Sequence, residues 1–119
     1  MNARMADRNF GDCEIQAITF LNGSAYLKIF DPHETAFFTL VFHSVGILLF
    51  ATDHTQNVID TVRLFDNLDA LRSDPDAFGF FQRMDHPHSR ENSSMRFAYI
   101  VPVAGGETLI SFTDFEMEE

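Results

Sequence analysis

The chain has 119 residues, enough for one domain, and 45% of them are hydrophobic, which supplies a core and argues against disorder. Eighteen acids against eight bases give a formal net charge of −10. That field disfavours nucleic acid and anionic membrane, whose binding relies on Lys and Arg displacing counterions, and it attracts a basic protein.

Residues 1 to 11 are polar, of mixed charge and expected to fray; they lack the apolar stretch of a signal peptide, so a cytoplasmic location is the expectation. The lone Cys13 excludes an intrachain disulfide and is expected half-buried at the head of a strand. The first strand runs from Cys13 to Leu21, and Asn22-Gly23 is a strong hairpin signal leading to a second strand, Ser24 to Phe30. On that strand Ala25, Leu27 and Ile29 share one face, and Tyr26, Lys28 and Phe30 the other. Asp31-Pro32-His33-Glu34 breaks the ladder, because proline has no N–H to donate.

The run Ala36 to Ala51 is the most apolar in the chain, yet it is too short for a membrane span and carries Thr39, His43 and Ser44. Its composition predicts two central strands, with a turn at Ser44-Val45-Gly46. In the first of them Phe38, Leu40 and Phe42 oppose Phe37, Thr39, Val41 and His43. The second takes Ile47 to Thr52. From Asn57 to Phe65 the apolar residues fit helical spacing, but Val58, Ile59, Thr61 and Val62 are β-branched, which predicts a strand. Short helices follow at 67 to 73 and 75 to 83, the latter opened by Asp74-Pro75 as cap and first residue. A polar loop, Asp85 to Ser94, is flanked by Arg83 and Arg96. Phe97, Tyr99, Val101 and Val103 alternate as a strand, Gly105-Gly106 turns, and Leu109 to Phe115 completes a second hairpin. The expected architecture is a single α+β domain over residues 1–119. Its mainly antiparallel sheet has six to seven strands, a meander plus a C-terminal hairpin, with one or two short helices on one face.

Fourteen phenylalanines without a tryptophan read as a core of rings that need no hydrogen-bond partner, the alternative being a ring-lined ligand cavity. No serine or cysteine lies in a nucleophile motif, and no glycine loop precedes a helix as a phosphate cradle would. No catalytic residue is assigned and no cofactor is expected. Histidines offer two alternative metal sites: His86 with His88, and His33 with His54, the latter pair brought together only if the first four strands form a simple meander. The acids are the stronger signal. One concentration holds Asp114, Glu116, Glu118 and Glu119; the other holds Asp66, Asp69, Asp74 and Asp76. Either suits a protein-binding face, since complementary charge speeds encounter and rejects like-charged partners.

The pattern Leu40-x-Phe42-x-x-Val45, followed by Asn57-Val58-Ile59 and a hairpin at Gly106-Glu107, resembles small bacterial immunity-type proteins of polymorphic toxin systems. The likeness covers residues 12 to 63. The helical stretch at 67 to 83 and the basic loop after it depart from it. It implies an α+β domain that neutralises a toxin by binding it, without catalysis, and it assigns no individual residue a role. Three outcomes follow: a non-catalytic domain holding a basic protein partner on an acidic face, a small-molecule or metal-binding domain with a site among histidines and ring-lined sheet, or a homodimer joined at a sheet face or edge.

Overall fold

The computed structural model describes residues 9–51, 57–84 and 95–119. Eight strands and two helices follow in the order β1 (Glu14–Leu21), β2 (Ser24–Asp31), β3 (Ala36–His43), β4 (Ile47–Phe50), β5 (Val58–Phe65), α1 (Leu68–Arg72), α2 (Pro75–Met84), β6 (Arg96–Ala104), β7 (Thr108–Phe112) and β8 (Asp114–Glu118). All ladders are antiparallel, and the strand order is β4-β7-β6-β5-β1-β2-β3-β8. The α+β class matches the sequence reading; the described residues form eight strands, where six to seven were expected.

Local chemistry explains the elements. Asn22 and Gly23 both have positive φ, 53° and 78°, which is the twist a two-residue hairpin needs. Asn67 caps α1 by accepting the Ala70 N–H at 2.8 Å. Asp74 caps α2 by accepting the N–H groups of Asp76 and Ala77, each at 3.1 Å. The stretch before α1 is a strand, because seven residues of β5 pair with β6 and a helix would leave that ladder unmade.

Pairing departs from a simple meander at β4. The chain kinks after β3, where Ser44 has φ 51°, and Gly46 N–H donates to the Ser111 carbonyl at 3.1 Å. Ile47 N–H then donates to Ser111 Oγ at 2.7 Å. This commits β4 to β7, so β4 is an edge strand, not the central one its apolar sequence predicts, and β3 has β2 and β8 as neighbours. The expected strand Leu109 to Phe115 is likewise broken at Thr113, whose N–H donates to the His43 carbonyl at 3.0 Å. Residues before the break pair with β4 and β6, and residues after it pair with β3. The two broken strands therefore run side by side, drawing the ends of the sheet's strand order towards each other although β4 and β8 share no ladder.

Curling the sheet in this way gives one large interior. Ile15, Leu27, Ile29, Leu40, Phe42, Ile59, Ile100, Ile110, Phe112 and Phe115 form a single buried cluster. Phe42 lies 5.0 Å from Phe112, and Phe112 lies 5.7 Å from Phe115, in edge-on contacts favoured by ring quadrupoles. Cys13 is fully buried in this cluster just ahead of β1, not half-buried within a strand. On the opposite face of the β4-β7-β6-β5 part, Leu68, Leu71, Ala77, Phe80 and Phe81 of the helices meet Ile47, Phe97, Tyr99 and Leu109. Strand β6 is consequently buried on both sides, with Phe97 and Tyr99 toward the helices and Ala98 and Ile100 toward the main core.

Gly106 closes the arrangement. A Cβ there would lie 2.0 Å from the Ala51 carbonyl oxygen and 2.6 Å from the Ala51 Cβ. Only glycine lets the β6–β7 turn approach the end of β4 so closely. Asn57 Oδ1 accepts the Gly106 N–H at 3.2 Å and so ties the same turn to the start of β5.

A bare acidic sheet face

The helices cover one part of the sheet only. Across β1-β2-β3-β8 the outward side chains follow from register. One row reads Thr19, Tyr26, Val41, Glu116, of which Val41 is buried, and the next Ala17, Lys28, Thr39, Glu118. Phe30 opposes Phe37 with ring centroids 5.0 Å apart, and Lys28 Nζ sits 4.8 Å from the Phe37 ring. Leu21 and Phe37 are 55% and 52% exposed, so large apolar groups face water here. A shallow depression of about 380 Å³ crosses this face, lined by Thr19, Leu21, Tyr26, Lys28, Thr39 and Glu118 among others. The alternation Tyr26-Lys28-Phe30 against Ala25-Leu27-Ile29 carried this face in the sequence. What it did not carry was that, among the described residues, α1 and α2 both lie over the other part of the sheet.

Strand β8 borders the depression. Asp114, Glu116 and Glu118 are exposed, while Phe115 is buried and Met117 is packed partly against the main core. Glu119 follows, also exposed. A line of polar contacts joins this strand to its neighbours: Ser24 Oγ lies 3.1 Å from His43 Nδ1, and His43 Nε2 lies 3.5 Å from Glu116 Oε1. Serine, histidine and a carboxylate are the residue types of nucleophilic catalysis. Ser24, however, is only 9% exposed, which gives a substrate carbonyl little approach to its hydroxyl. The contacts act as cross-strand ties between β2, β3 and β8.

The second acidic concentration sits differently. Asp74 is the α2 cap and also takes the Arg63 guanidinium at 2.9 Å. Asp76 lies 3.5 Å from the same guanidinium, and Asp69 lies 3.6 Å from Arg72, while Asp66 is exposed at the turn before α1. Burial acts to raise the Asp74 pKa, but the Ala77 N–H and Arg63 outweigh it and hold the carboxyl below its ordinary value. The hydrogen bond to Asp74 raises Arg63 in turn, against the cost of its own desolvation. Nearby, Tyr99 donates its hydroxyl to Glu107, which Arg83 approaches at 3.4 Å. Burial first, then that carboxylate, push the Tyr99 phenol well above its usual pKa. In the sequence Glu107 stood only as part of the Gly106-Glu107 hairpin; its pairing with Tyr99 depends on β6–β7 register and had no local signal.

Of the candidate metal ligands, His33 is exposed, with Nε2 3.6 Å from Asp12 Oδ2 and its N–H on Asp31 Oδ1 at 2.9 Å. His54, His86 and His88 lie outside the described residues. The meander that was to bring His33 and His54 together does not form, because β4 pairs with β7 and not with β3. Among the described residues, no three or more His, Cys, Asp or Glu side chains are grouped to hold a metal ion. No helix among them is long and apolar enough to cross a membrane. No family model matches the chain, and neither a curated protein nor a solved structure matches it.

Proposed function

We propose that this chain is a non-catalytic protein-binding domain that docks a basic partner on the bare face of β1-β2-β3-β8. The observation that carries the reading is the contrast between the two acidic sets. Asp74 and Asp76 are engaged by Arg63 and, for Asp74, by the start of a helix. Asp114, Glu116 and Glu118 instead stand exposed on β8, with His43 near Glu116, at the border of a face that also carries half-exposed Leu21 and Phe37. Exposed apolar groups on a face bordered by acids are the ingredients of a specific interface: the first supply burial, the second steering and selection. Neutralising a basic toxin, the role implied by the immunity-type resemblance, is one form such binding takes. The small-molecule alternative has less support, because the rings that would line a cavity pack against each other in the core.

Capture of a partner from source-cell lysate, followed by binding kinetics at rising salt, tests the proposal. Exposed charges are screened over about 8 Å at physiological ionic strength, so the on-rate should fall with salt while the off-rate changes less. Asp114→Asn, Glu116→Gln and Glu118→Gln together should lower the on-rate, and Asp66→Asn with Asp69→Asn should not. A captured partner indifferent to the β8 changes and to salt would remove the basis for this reading.

A further inference from the structure

Strand β8 stands at the end of the strand order and has one ladder partner, β3, among the described residues. It is nonetheless a firmly placed strand, because Phe115 is buried beside Phe42 and Phe112. Edge strands present backbone N–H and C=O groups that template another strand, and charged residues on the edge are a common guard against promiscuous pairing. Here the guard has one sign only. Asp114, Glu116 and Glu118 sit at every second position on the outward face, beside the depression that holds Tyr26, Lys28 and Thr39.

Resting on the reading of this face as a partner site, we propose that the partner contributes an extended segment that adds to the sheet along β8, with basic residues at alternate positions. Two physical points favour this occupant. Side chains on one face of a strand repeat every second residue, about 6.6–6.8 Å, so an added strand sets Lys or Arg opposite each of the three acids without bending. A helix satisfies its own backbone groups, so it would leave the N–H and C=O groups of the β8 edge without main-chain partners. Main-chain hydrogen bonds would then supply affinity, and the acids would supply selection. A second copy of this chain is the poorer occupant of the same edge, since two β8 strands would oppose acid to acid.

The test uses two short synthetic peptides of identical composition, one alternating lysine and valine, the other with its lysines in a single block. Fluorescence anisotropy at physiological ionic strength reads binding, and amide hydrogen exchange reads β8. The alternating peptide should bind about tenfold more tightly, a difference of about 1.4 kcal/mol. It should also slow exchange of β8 amides, and Glu116→Gln with Glu118→Gln should abolish the preference. Circular dichroism of that variant confirms that its fold is retained. Equal binding of the two peptides, both weakened by the variant, would overturn strand addition while leaving an acidic docking face intact. Binding of neither, or self-association through β8 shown by sedimentation, would overturn the inference as well. The reading of the face is judged separately, by the salt dependence of the captured partner.

Discussion

Along β4-β7-β6-β5 both sides of the sheet carry packed side chains, against the main core on one side and against α1 and α2 on the other. Along β1-β2-β3-β8 the inner side is packed and the outer side is largely open, Val41 and Ser24 being the buried positions on it. The covered part treats its charges as structure. Asp74 caps a helix, Arg63 bridges two aspartates, and Glu107 receives a tyrosine hydroxyl. The bare part places its acids on an edge strand and its large apolar groups in water. The same composition of acid and ring thus does two jobs, and burial on the outer face separates them. An acidic residue that caps or pairs in a partly buried setting is costly to change for folding, while an exposed one on an edge strand contributes little to it even where, as Glu116 with His43, it has a polar neighbour.

The sharpest way to break the comparison is at its seam. Gly106→Ala would drive a Cβ into the Ala51 backbone, so we expect a loss of about 3 kcal/mol or more, or failure to fold, since the neighbour is main chain and cannot rotate away. Urea melts decide it; a near-neutral result would mean that β4 and the β6–β7 turn are not held together. In the interior common to both parts, Phe42→Ala should cost about 3–5 kcal/mol. By the same measurement, a loss well under about 1 kcal/mol would show that this ring is not enclosed as its burial indicates.

Asp74 should give a smaller and pH-dependent effect. Asp74→Ala should cost about 1–2 kcal/mol at neutral pH through loss of the cap, with the Arg63 pair adding to it. Because the folded-state pKa is lowered, this contribution is present above the ordinary value of 3.8 and is lost as pH falls through the lower folded value. The gap between wild type and variant should therefore shrink below about pH 4, and a gap constant down to pH 2 would contradict the carboxylate's role. Least disturbing should be the bare face. Phe37→Ser and Leu21→Ser should each cost no more than about 1 kcal/mol, because both side chains are only about half covered, Phe37 by the Phe30 ring and Lys28. Thermal melts read that, and a marked loss would place the outer face under cover in the folded protein.

Much of this was legible in the residues themselves. Asn22-Gly23, Asp74-Pro75, and the alternations of β2, β3 and β6 each state a local conformational preference, and each preference is satisfied within a few residues of chain. Charge and its sign are likewise properties of composition, independent of fold. Strand partners are not. The apolar run of β4 suits a central strand and a short edge strand equally, because burial by a second layer and burial between neighbours select the same side chains. Thr113 carries no breaker signal; it interrupts the last hairpin because the curled sheet offers its N–H the His43 carbonyl just where the chain must pass from β4 to β3. Gly106 read as a turn residue, but its need to be glycine comes from Ala51, distant in sequence and adjacent in space. Which acids meet a guanidinium and which meet water was also decided there, since that depends on where two helices come to rest on one part of a sheet and leave the other uncovered.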